Sequence, residues 1–198
     1  MAGTLGVVLS GGSSRRFGGG DKALALLSGT PLIGWVLERL KPQVDSVAIS
    51  THGDAASYGA FGYPLLGDGG DGREGPMAGV LAALRHASLL GLPDAVTVPC
   101  DAPLIPADLV ARLRAARGDA PCAFAMTDGK LNPVFALYRA DLKDAVSNAF
   151  DSGVRAPRDL ADRLGARFAM FTDENARALA DIDTAADLAD FPLSGLAQ

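Results

Sequence analysis

The sequence predicts an α/β fold, a largely parallel sheet covered by helices on both faces. Three observations carry that reading. Short apolar runs recur along the chain, most of them are followed by stretches with helical periodicity, and Gly or Pro punctuates the junctions. With 198 residues, 48% hydrophobic and 21% charged, the chain is long enough for one well-formed core, so a single domain over residues 1–198 is expected.

Leu5 to Leu9 is the first apolar run, and it stops at Ser10-Gly11-Gly12 as a buried strand does before a loop. Pro31 opens a helix whose Leu32, Val36, Leu37 and Leu40 share one face; proline suits a first helical turn because its missing N–H would be unpaired there anyway. Ser46 to Thr51 reads as the second strand and Tyr63 to Leu66 as a short third. Met77 to Leu90 is a helix closed by Gly91, and Ala95 to Pro99 is the next strand. From Pro106 the run PADLVARLRAAR predicts a helix ending at Gly118. Strands at Cys122 to Met126 and Pro133 to Tyr138 follow, then helices at Leu142 to Phe150 and Pro157 to Leu164, a strand at Arg167 to Phe171 and a last helix from Thr184 to Phe191.

Composition excludes several function classes. No apolar run approaches the roughly 20 residues of a membrane span, and the N-terminus lacks the order of a secretory signal, so neither a membrane nor an export route is expected and the cytoplasm is the default. A net charge of −5 without a Lys/Arg block argues against a nucleic-acid partner. Cys100 and Cys122 form no CxxC and read as buried reduced thiols, while His52 and His86 lack metal-ligand spacing. The chemistry falls to Gly, Lys, Arg and Asp.

In such a sheet ligands gather beyond the carboxyl ends of the strands. Three segments lie there: the loop after strand one, residues 68–76 and residues 100–106. The first, LSGGSSRRFGGGDK, holds five glycines, two arginines and Lys22. Glycines let backbone N–H groups approach an oligophosphate closely, and Arg and Lys follow its charge. The run is neither a Walker A loop, since Lys22 follows Asp21 and precedes Ala23, nor a GxGxxG fingerprint. Asp101, just past a buried strand, aims a hard oxygen at the place where phosphates collect, and Mg²⁺ needs only one or two carboxylates besides phosphate oxygens. Asp108 is the neighbouring acid and reads as a first-turn helix residue.

The run LSGGSSRRFGGGDKALALLSGTPL resembles the signature LAGGxSxRMGxxDKxLxxLxGxPL of nucleotidyltransferases that attach a nucleotide to molybdopterin, above all the molybdenum cofactor guanylyltransferase family. EGPMAGVLAAL resembles that family's GPLAG helix start, and VPCDAPLIPADL its PCDxPxxPxxL segment. The resemblance implies a three-layer, Rossmann-like nucleotidyltransferase fold, with residues 1–105 mainly serving nucleotide and Mg²⁺ and residues 106–192 mainly the acceptor. It implies nucleotide contacts from Leu9, Ser10, Gly11, Gly12, Arg16, Lys22, Ser50, Asp68 and Asp101, with Lys22 and Asp101 catalytic and Asp101 the metal ligand. Asp71 competes with Asp68, which is preferred because it directly follows the strand-three region. Gly79, Asn132 and Arg155 are the acceptor candidates.

The implied reaction is GMP transfer from GTP to the terminal phosphate of molybdopterin, with release of pyrophosphate. Gly11 and Gly12 leave room for a purine, and the Asp68 carboxylate can accept from the N1–H and amino group of guanine. The chain departs from the family at Phe17, usually Met; at Asn132-Pro133, usually His-Pro; and at Ala180 to Thr184, where ADIDT replaces NxN(T). Related cytidylyltransferases often carry DxDT, so a CTP-dependent enzyme acting on molybdopterin or on a sugar or alcohol phosphate is the alternative. A catalytically silent nucleotide-binding regulator is the alternative of another class, and the retention of Lys22 together with Asp101 speaks against it.

Overall fold

The first strand, β1 (Thr4–Ser10), is buried at every residue and lies inside a seven-stranded sheet. The structure, a computed structural model, describes residues 3–11, 21–51, 55–67, 75–172 and 178–191. Besides β1, the sheet contains β4 (Ser46–Thr51), β5 (Leu65–Leu66), β6 (Asp94–Pro99), β7 (Cys122–Thr127), β8 (Lys130–Arg139) and β9 (Arg167–Phe171), in the order β5-β4-β1-β6-β8-β7-β9. A separate two-stranded ribbon pairs β2 (Leu26–Leu27) with β3 (Thr30–Pro31). The helices are α1 (Leu32–Leu40), α2 (Ala55–Gly59), α3 (Pro76–Leu89), α4 (Leu109–Arg117), α5 (Lys143–Asp151), α6 (Pro157–Leu164) and α7 (Ala185–Ala189). None among the described residues is long and apolar enough to cross a membrane.

The expected α/β layering holds, and alternation along β1 shows why. Val8 faces a cluster containing Ile33, Val36 and Leu37 of α1 and Leu109, Val110 and Leu113 of α4. Leu5, Val7 and Leu9 face Met77, Val80 and Leu84 of α3, together with Val146 and Leu160. Successive side chains of a strand point to opposite faces, so an unbroken apolar strand needs a helical layer on each. A third, small cluster, Leu27, Leu32 and Ile182, packs with Trp35 and Leu188 and fastens the C-terminal segment to the ribbon.

β1 runs parallel to β4 and β6, β4 to β5, and β7 to β9, whereas β8 is antiparallel to both of its neighbours. The exception has a local cause. Asp128 and Gly129 both take positive φ, 48° and 75°, between the paired residues Thr127 and Lys130, the two-residue turn that suits a right-twisted hairpin.

Several predicted boundaries shift. The third strand keeps only Leu65 and Leu66. The helix expected from Pro106 starts at Leu109, because residues 106–108 form a turn closed by Leu109 N–H to Pro106 O, and Asp108 holds the N-cap position without a side-chain hydrogen bond. Pro31 belongs to the ribbon, immediately ahead of α1. The last helix shortens to five residues, capped by Thr184, which accepts from Asp187 N–H while the Asp187 carboxylate accepts from Thr184 N–H.

Candidate active site

Parallel register brings the carboxyl ends of three strands level: Leu9 is opposite Ser50 on one side and Pro99 on the other. Cys100 N–H donates to Leu9 O at 3.2 Å, which carries the pairing one residue further and delivers Asp101 just beyond the sheet. The following loop is pinned from beneath by Ala102 and Ile105, both fully buried. Asp101 therefore stands on a rigid base at the strand end, where its neighbours in sequence led it to be expected.

Lys22 arrives from the other side. It opens a 3-10 turn, Lys22–Leu24, whose N-cap is Asp21; one Asp21 oxygen accepts from Ala23 N–H at 3.1 Å, and Ala23 is buried against the core. Lys22 Nζ lies 2.6 Å from Asp101 Oδ2. It also donates to Asp183 Oδ1 at 2.9 Å, across 161 residues of sequence. Both Lys22 and Asp101 keep 17% of their side-chain surface exposed, so the pair is sheltered yet reachable. Burial alone would lower the Lys22 pKa; hydrogen bonds and attraction from Asp101 and Asp183 outweigh it and raise it, so the ammonium persists at neutral pH.

Asp183 was not among the candidates read from the sequence, although the DIDT run around it was. Its position follows from Ile182, which is 1% exposed in the cluster with Leu27 and Leu32 and whose N–H donates to Asp101 O at 2.9 Å. Burying Ile182 turns the flanking aspartates outward, and of the two it is Asp183 that reaches the lysine. Asp181 keeps an open flank to solvent. Even so, burial of its carboxyl group, then the charges of Asp101 and Asp183, push it up to about 7, with Lys22 opposing.

The donor set leaves one carboxylate oxygen for a cation. Asp101 Oδ2 is engaged by Lys22, but Oδ1 is buried and has no hydrogen-bond partner among the described residues. An orphaned carboxylate oxygen is a costly arrangement unless a ligand completes it. No group of three His, Cys, Asp or Glu side chains among the described residues forms a closed cage.

The remaining candidates divide. Leu9, Ser10 and Ser50 are buried at the strand ends, 8%, 7% and 4% exposed, and Gly11 is exposed just past β1. Gly79 sits inside α3, where a Cβ would come within 2.9 Å of Leu9 Cδ2 and 3.0 Å of Ser50 Oγ; its missing side chain lets the helix close on these two strand ends. Asn132, on β8, donates its amide to Thr127 Oγ1 at 2.9 Å. The Arg155 guanidinium lies over the Phe150 ring, 4.2 Å from its centroid, and donates to the carbonyls of Phe150 and Val154, so it caps the end of α5. Gly12, Arg16 and Asp68, together with Arg15, Phe17, His52 and Asp71, lie outside the described residues.

Comparison with known proteins adds to this geometry. The sequence profile of the MobA-like NTP transferase domain matches residues 6–168. The molybdenum cofactor guanylyltransferase of Cereibacter sphaeroides is 42% identical over 172 residues, 87% of this chain and 88% of that one. The protein of the same name from Mesorhizobium japonicum is 40% identical over 165 residues, 81% and 79% of the two chains. Among solved structures, molybdopterin-guanine dinucleotide biosynthesis protein A from Archaeoglobus fulgidus superposes with a TM-score of 0.73 at 23% identity, covering 94% of this chain and 95% of that one. The 2-C-methyl-D-erythritol 4-phosphate cytidylyltransferase from Thermus thermophilus shares the fold, with a TM-score of 0.63 at 20% identity over 92% and 94%. The chain belongs to the MobA-like NTP transferase family and is a nucleotidyltransferase.

Proposed function

We propose that this enzyme transfers GMP from GTP to the terminal phosphate of molybdopterin, forming a guanine dinucleotide cofactor and releasing pyrophosphate. The observation that carries the reading is the Lys22–Asp101 pair at the carboxyl ends of β1 and β6, in a chain 42% identical over 87% of its length to a protein named for that reaction. The attacking phosphate monoester is anionic near neutral pH, so the reaction asks for in-line placement and charge neutralisation more than for a general base. Lys22, held as an ammonium, supplies positive charge for the α-phosphoryl oxygens. Asp101 would hold Mg²⁺ through its orphaned oxygen, and the ion, when bound with the phosphates, supplies Lewis-acid charge neutralisation.

In this reading residues 1–105 mainly serve the nucleotide and Mg²⁺, and residues 106–192 mainly serve the acceptor. We read the compartment as the cytoplasm, a reading supported by the two free thiols. Asp183 favours keeping one second reading in view, because the DIDT run that resembles cytidylyltransferases reaches the catalytic lysine. Pyrophosphate release measured with each of GTP, CTP, ATP and UTP, with and without molybdopterin, separates the cases. GTP together with molybdopterin should give the highest kcat/KM. A CTP preference would move the protein to the cytidylyltransferases, and no release with any pair would make it a silent nucleotide binder.

A further inference from the structure

Tyr58 belongs to α2, a helix of five residues that the sequence pattern does not announce. Its side chain is fully buried, and its ring sits 6.4 Å from that of Phe61. A phenylalanine would fill this space equally well. The hydroxyl, which must be matched by partners when buried, therefore calls for its own explanation.

Its partners are specific. The phenol donates to Asp21 Oδ2 at 2.7 Å. Since its single proton is used there, its oxygen accepts from the Ser10 hydroxyl, 2.5 Å away. Ser10 is the last residue of β1, and Asp21 is the residue before Lys22. One phenol thus joins the two residues that flank the span 11–20, and it does so from a third element beside the end of β4. Burial, above all, keeps the phenol protonated, with the Asp21 carboxylate acting in the same direction against the Ser10 and Thr51 hydrogen bonds.

The path to the chemistry is short. Asp21 Oδ2 accepts the hydrogen bond of the phenol while Oδ1 caps the turn through Ala23 N–H, and Lys22 lies between these two contacts in sequence. From that turn the Lys22 side chain reaches Asp101 Oδ2 at 2.6 Å. Ser10 and Asp21 lie eleven residues apart in the chain, and the phenol joins them directly through space.

We propose that Tyr58 is a positioning residue for nucleotidyl transfer: by holding Ser10 and Asp21 together, its hydroxyl sets where Lys22 presents its ammonium, without itself touching substrate. The inference rests on the reading of Lys22 as the lysine of the α-phosphate. It assigns the effect to kcat, because a misplaced lysine forfeits charge stabilisation that grows in the transition state, whereas the nucleotide keeps its other contacts.

The test is a double-mutant cycle of Tyr58→Phe with Lys22→Ala, measured as pyrophosphate release with molybdopterin and the nucleotide that the wild-type enzyme turns over fastest. Lys22→Ala alone should lower kcat by about 10²–10³-fold. Tyr58→Phe alone should lower kcat by about tenfold, with KM for the nucleotide changed less than about threefold. In the Lys22→Ala background Tyr58→Phe should cost almost nothing further, a result that a general loss of packing does not produce. Asp21→Asn, which replaces the accepting oxygen pair by an amide, gives a second route to the same non-additivity if Tyr58→Phe folds poorly. An unchanged kcat in Tyr58→Phe, or the same fold loss in both backgrounds, overturns the positioning role while leaving the Lys22 reading intact. An unchanged kcat in Lys22→Ala overturns both.

Discussion

The two ends of the central strands carry the same kind of ion pair and use it differently. At the amino ends, Asp94 opens β6 and is 2% exposed; Arg117 reaches it at 2.7 Å and Arg114 at 3.8 Å. Arg114 also donates to Thr4 Oγ1, and Thr4 N–H donates to Asp45 Oδ2 at 2.7 Å, so the start of β1 is tied into the same network. At the carboxyl ends, Lys22 and Asp101 are both partly open, and the lysine divides itself between Asp101 and the exposed Asp183. The cation type matches the task at each end. Arginine's rigid fork suits a permanent bond, and α4 supplies two of them from its last turns. Lysine is a compact charge on a flexible stem, which can exchange a carboxylate for a phosphate.

That comparison is broken or sharpened first at Asp101. Asp101→Asn keeps the shape but removes the charge; kcat should fall by on the order of 10³ or more, unrestored by excess Mg²⁺, while the melting temperature moves little. A large loss of stability with activity retained would place Asp101 among the structural pairs. Asp94→Asn should behave in the opposite way. Leaving two arginines beside an uncharged buried side chain should cost about 3 kcal/mol in denaturant unfolding, with kcat per folded molecule unchanged.

The smallest effect is a pH dependence at the closed end. Burial pushes the Cys122 thiol up to about 12, Arg117 opposing, from an ordinary value near 9. Above pH 9 the unfolded chain releases this proton and the folded chain keeps it, so the contribution of Cys122 to stability is full below pH 9 and declines from there toward pH 12. Unfolding midpoints measured from pH 8 to 10.5 should fall less steeply in Cys122→Ala than in the unaltered protein. Equal slopes would show that the thiol is not sheltered as its burial requires.

Lys22 and Asp101 were legible in the sequence because each is marked locally, one by a glycine-dense run after an apolar strand and the other by its place just past a buried strand. The Asp128-Gly129 turn was equally local, a signal for the hairpin that makes β8 antiparallel, yet the two strands were read without their pairing. Arg155, an acceptor candidate in the sequence, meets in the fold the carbonyls of Phe150 and Val154 and the Phe150 ring, contacts that its own position in the chain does not announce. Asp183 and Tyr58 carry no local mark of their role, since their partners lie 161 and 37 residues away.

By itself, then, the sequence determined the alternation of strands and helices, and it singled out a lysine and an aspartate that meet beyond the carboxyl ends of the central strands, all of which follow from periodicity and from residue types at strand ends. Only the tertiary structure decided what surrounds that pair. Burying Ile182 against Leu27 and Leu32 selects which aspartate of DIDT faces the lysine. Seating the Tyr58 ring in the core brings one hydroxyl to both Ser10 and Asp21. Such choices are made by packing, because a buried side chain has one place to go and takes its neighbours in the chain with it.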